Sequence, residues 1–110
     1  MKLEFEYDDP EEPKAGQFWL VKTSKGMEGV IILYIDNDFG EMEVLRINAF
    51  EIGASIKRPE WLPLKDCEFQ GCVNANLDPK PNGITGGYDV DVDKEDIDAA
   101  FTILEISNAL

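Results

Sequence analysis

The sequence predicts a mainly β domain with a single C-terminal α-helix. Three observations carry that expectation. The stretch Gly29–Ile47, GVIILYIDNDFGEMEVLRI, reads as a β-hairpin. Other short apolar runs are divided by clusters of Gly, Pro, Asn and Asp, as strands are divided by turns. The last apolar residues recur at helical spacing behind an acidic start.

Taken in order, Met1–Tyr7 alternates, with Leu3, Phe5 and Tyr7 on one side and Lys2, Glu4 and Glu6 on the other. That is a half-buried strand. Asp8-Asp9-Pro10-Glu11-Glu12-Pro13 is an extended, solvated loop, because proline fixes the backbone and four acids repel one another. Gln17–Thr23 is the next strand, and Ser24–Gly29 links it to the hairpin. Val30–Ile35 has no polar alternation, so both of its faces should be covered, which marks a central strand. Asp36-Asn37-Asp38-Phe39-Gly40 supplies the turn, and Glu41–Asn48 returns with Met42 and Val44 as its clearest apolar positions.

Ala49–Lys57 fits either a strand bulged at Gly53 or a short helical turn. Pro59 and Pro63 bracket an irregular piece, and Leu64–Val73 is a further strand. Asn74–Gly87 is the longest turn-rich stretch, of the kind that often carries function in a small domain. Tyr88–Val92 reads as the last strand, with Val90 and Val92 facing one way and Asp89 and Asp91 the other. Asp93 then caps a helix to about Asn108, with Glu95, Asp96 and Asp98 near the positive end of its dipole. Ile97, Ala100, Phe101 and Leu104 form its apolar stripe, widened by Ile103 and Ile106. The assembled expectation is one domain over residues 1–110. It is a small antiparallel curled sheet or SH3-like barrel of five to six strands, closed or flanked by the helix.

Composition narrows the chemistry. The chain has 110 residues, 44% of them hydrophobic, enough for one core without staples. Twenty-three acids against ten bases give a net charge of −13. Such a surface repels phosphate backbones and anionic lipid and attracts basic partners, so neither nucleic acid nor membrane is expected to bind directly. No run approaches the roughly 20 apolar residues of a membrane span, and MKLEFEYDDPEEP lacks a signal-peptide pattern. The expected location is cytoplasmic. There is no histidine, so the usual general base near neutral pH is missing. Cys67 and Cys72 alone cannot fill a zinc site; a disulfide between them is open from the sequence, though a cytoplasmic chain favours free thiols. No cofactor or metal is expected.

The acidic run is the strongest candidate for function. On a strand, Asp89, Asp91 and Asp93 would point one way about 6.7 Å apart. With Glu95, Asp96 and Asp98 they make a row of negative charge, a looser spacing than the charges of a duplex. Glu4, Glu6, Asp8, Asp9, Glu11 and Glu12 could extend it if first and last strands are neighbours. The same pattern also suits a solvated strand face running into a capped helix. A calcium loop starting at Asp91 fails, because Asp96 stands where glycine is needed and Thr102 where the bidentate glutamate is needed. Trp61, between two prolines, is a candidate interface anchor. Trp19, in an apolar strand, reads as core.

Pro13-Lys14-Ala15-Gly16-Gln17-Phe18-Trp19-Leu20-Val21 resembles the opening strand of the MazF/PemK endoribonuclease toxins, small barrels with a C-terminal helix. The resemblance covers about ten residues and favours a barrel. Met27-Glu28-Gly29-Val30 replaces the family's arginine-proline, and its basic RNA groove has no counterpart in so acidic a chain, so no active site carries over.

The expectation is therefore a non-enzymatic acidic protein-interaction module. It would bind a basic protein surface, such as the groove of a DNA- or RNA-binding protein, as a nucleic-acid mimic. Small inhibitors of phages and mobile elements have such compositions. Two other readings fit: a degenerate ribonuclease barrel, and an accessory protein that assembles through strand edges.

Overall fold

The structure, a computed structural model, describes residues 12–46, 59–84 and 86–109. The expected strand at Met1–Tyr7 and the ambiguous segment Ala49–Lys57 lie outside them. Five strands form one antiparallel sheet: β1 (Phe18–Thr23), β2 (Gly26–Asp36), β3 (Glu41–Arg46), β4 (Glu60–Pro63) and β5 (Glu68–Asn74), in the order β4-β3-β2-β1-β5. A second sheet is the short pair β6 (Lys80–Pro81) and β7 (Tyr88–Asp89), and α1 spans Lys94–Ala109.

The hairpin forms where the sequence put it, and β2 is the central strand. It begins earlier than expected: Ser24-Lys25 alone make the turn, so Gly26 already belongs to the ladder opposite Thr23. In the other turn, Asp36 Oδ1 accepts hydrogen bonds from the backbone N–H of Asp38 (3.0 Å) and Phe39 (3.2 Å), and Gly40 supplies a positive φ of 67°. The bracketed piece Glu60–Pro63 is a strand, not an irregular segment. Its prolines flank or end the strand, at an edge, where a missing donor costs least.

The sheet must curl. β4 and β5 are its opposite edges and run in the same direction, yet only Leu64–Asp66, a 3-10 turn, and Cys67 join them. A flat sheet would separate those edges by four spacings of about 4.8 Å, or about 19 Å. Five extended residue steps reach about 17 Å, and a 3-10 turn reaches less. Bulges where β1 meets β5 and where β2 meets β3 add the bend. Among the described residues the sheet is not closed into a barrel.

Curling gives two cores. Val21, Val30, Ile32, Met42 and Val44 are fully buried on the inner face, with Trp19, Leu62 and Cys72 beside them. Trp19 Nε1 donates to Gln17 Oε1 at 2.8 Å, which satisfies the indole where it is buried. The outer face carries Phe18, Leu20, Ile31, Leu45 and Val73, and α1 lays Ala100 and Leu104 on them. Ile97, Phe101 and Ile103 pack at the margin, while Ile106 is exposed and does not join the core. The helix is pinned at both ends. Asn74 Nδ2 donates to Asp96 Oδ2 at 3.1 Å. Asn108 takes a hydrogen bond from Met27 N (2.9 Å) and gives one to Met27 O (3.0 Å).

Candidate functional site

The acidic run forms the approach to α1. Asp89 lies in β7, but the ladder stops there, and 90–93 continue without strand pairing. The expected strand Tyr88–Val92 is thus two residues long. In the register of the β6–β7 pair, Lys80 faces Asp89 and Val90 would face Pro79, but the pairing does not continue there. The alternating row on a rigid strand is realised only at its first member. Asp93 does start the helix: Ile97 N donates to its carbonyl at 3.1 Å.

The members of the run differ in their surroundings. Asp91, Asp93, Glu95 and Asp98 are exposed, and no cation pairs with them among the described residues. Asp89 is exposed but accepts from Asn82 Nδ2 at 3.2 and 3.4 Å. Asp96 is half-buried under its contact with Asn74. Glu12 is exposed. Glu4, Glu6, Asp8, Asp9 and Glu11 lie outside the described residues.

Trp61 is 49% exposed and sits on the edge strand β4, while the acidic run leads into α1, which packs on β2 and β5. Its neighbour was not foreseen. Tyr34, 55% exposed, meets Trp61 edge to face with ring centroids 6.3 Å apart. The cause is a bulge at Leu33: Ile32 pairs with Val44, but Tyr34 pairs with Glu43. Without the extra residue Tyr34 would face inward opposite Met42. With it, Ile35 takes that inner place and Tyr34 turns outward. The expectation that Val30–Ile35 is covered on both faces therefore fails at Tyr34. An all-apolar run gives no sign of where its register slips.

Charged groups cluster elsewhere on the inner face. Arg46 Nη1 donates to Glu28 Oε1 at 2.6 Å, and Arg46 Nε lies 2.7 Å from Glu60 Oε2 without the alignment of a hydrogen bond. Glu28 is 7% exposed, and its other oxygen has no hydrogen-bond partner among the described residues. A buried carboxylate of this kind depends on its arginine. Cys67 is half-buried nearby. Burial, and the Asp66 and Glu28 carboxylates after it, push its thiol above the ordinary value against the opposing pull of Arg46. A thiol held protonated is a poor nucleophile. Cys72 is buried, and both cysteines are free thiols. Among the described residues no group of three or more acids and cysteines is arranged to hold a metal ion, and no helix is long and apolar enough to cross a membrane.

The chain matches no protein-family model, and neither a curated protein nor a solved structure matches it. Its site has to be read from its own residues.

Proposed function

We propose that this protein is a non-enzymatic interaction module whose acidic surface binds a basic protein. The groove of a nucleic-acid-binding protein, which the module would block as a mimic of the nucleic acid, is the partner that its charge fits best. One observation carries the reading: Asp91, Asp93, Glu95 and Asp98 stand exposed with no cation of the described chain against them. Their field is left for another molecule, and a net charge of −13 steers cationic partners toward it. The protonated Cys67 thiol and the absence of histidine agree with a protein that recognises and does not react.

The test is capture of partners from lysate at low salt, with the unmodified chain and a D91N/D93N/E95Q/D98N variant side by side. The expected result is a basic protein that is retained at low salt, released by a salt wash and lost with the variant. A partner held equally at low and high salt would overturn the reading. Cleavage of any of several RNAs by the purified chain would overturn its non-enzymatic part.

A further inference from the structure

We propose that Tyr34, Glu43 and Trp61 form a receptor for one arginine or lysine side chain of the basic protein partner. The three residues lie on adjacent strands in direct register, Tyr34 opposite Glu43 and Glu43 opposite Trp61. Residues so paired share a face. Met42 and Val44 point into the inner core, so Glu43 between them points outward. β2 and β4 are two spacings apart, about 9.6 Å. Ring centroids only 6.3 Å apart therefore mean that Tyr34 and Trp61 lean toward each other across Glu43.

That arrangement leaves a carboxylate half-buried between two exposed aromatic rings. No cation pairs with it among the described residues. Lys14 lines the 530 Å³ groove that Tyr34 borders, but makes no ion pair with Glu43. Partial burial of an unpaired charge is unfavourable, and two large aromatic side chains in water bury less than they could. A cationic side chain relieves both costs at once. Its charge meets Glu43, and its flat or methylene portion covers the faces of Trp61 and Tyr34. Arginine fits better than lysine, because its planar guanidinium stacks on a ring while bonding a carboxylate. Glu41, Asp36 and Asp38 at the same end of the hairpin hold further negative charge around the entrance. The occupant follows from charge and shape: a cation with an apolar stem, presented by a protein.

The inference rests on the interaction-module reading, and one titration separates the two. The probe is a labelled peptide with three arginines in a neutral sequence, followed by anisotropy with the unmodified chain, W61A, E43Q and the D91N/D93N/E95Q/D98N variant. Trp61 emission is read in parallel with iodide quenching, Trp19 being buried. The expected result is binding that shields Trp61 from iodide and weakens about 2- to 30-fold in W61A and E43Q, the range of a cation–aromatic contact. A peptide with citrulline for arginine should not shield Trp61. Binding that W61A and E43Q leave unchanged, with Trp61 unshielded, overturns the receptor and leaves the module reading standing if the quadruple variant loses the peptide. Absence of binding to the unmodified chain overturns both.

Discussion

The outer face of the sheet has two halves built from the same strands and finished differently. Toward α1, Ile31 and Leu45 lie opposite each other and vanish under Ala100 and Leu104. Two residues from Leu45 along β3, and just past the Leu33 bulge on β2, Glu43 and Tyr34 occupy equivalent outward positions with no helix of the described residues above them. The covered half is apolar and complete. The bare half is aromatic and acidic, and carries a carboxylate without a counter-ion among the described residues. Fold stability needs only the first composition. The second costs stability and is better suited to contact with another molecule.

Substitutions can break that comparison. The largest effect is expected under the helix. Leu45→Ala or Ile31→Ala should lower the unfolding free energy by about 2–5 kcal/mol in urea denaturation, from lost burial and the cavity left behind. Next is the clamp at the end of α1. Asn108→Ala removes two hydrogen bonds to Met27 and should cost about 1–3 kcal/mol, with faster amide exchange in the last helical turn. Gly26→Ala should act in the same direction, since a Cβ there would stand 2.7 Å from Asn108 Oδ1 at a φ of 114°. On the bare half, Trp61→Ala should cost about 1 kcal/mol, little more than the aromatic pair is worth. Glu43→Gln should leave the urea midpoint unchanged or raise it. If Trp61→Ala proved as damaging as Ile31→Ala, the two halves would be one core.

The smallest effect is expected away from both halves, at Cys67, a control on the inner face. Its thiol is raised in the folded state, chiefly by burial. As pH climbs past the ordinary thiol value of about 8.5, the unfolded chain loses that proton while the folded chain keeps it. Stability should therefore fall through this window and not below it. Cys67→Ala should flatten that part of the profile, measured against the unmodified chain. At pH 7.5 a thiol reagent should label Cys67 slowly.

How much of this was legible follows from what each signal depends on. Alternation, turn residues and the helical stripe are local, and they gave β1, the hairpin, its central arm and α1. Pro59 and Pro63 suggested irregularity, because sequence does not show that a strand lies at an edge, where proline is tolerated. The early end of β7 was hidden too, because its partner Lys80–Pro81 becomes known only once the pairing is known. The acidic run was visible as a run, but the contacts of Asp89 with Asn82 and of Asp96 with Asn74 depend on folding. Trp61 stood out by its flanking prolines. Tyr34 and Glu43 did not, since a register shift decides that they meet.

One inserted residue has a wider consequence. At Leu33 the chain changes the parity of the hairpin, so every side chain after it swaps sides relative to an unbroken ladder. Deleting Leu33 would send Ile35 out to water and bring Tyr34 inward against Met42. Inserting or removing residues in pairs would leave both surfaces as they are. Drift in the length of this arm is therefore tolerated by twos and penalised by ones, and the outward display of this protein is inherited as an odd number.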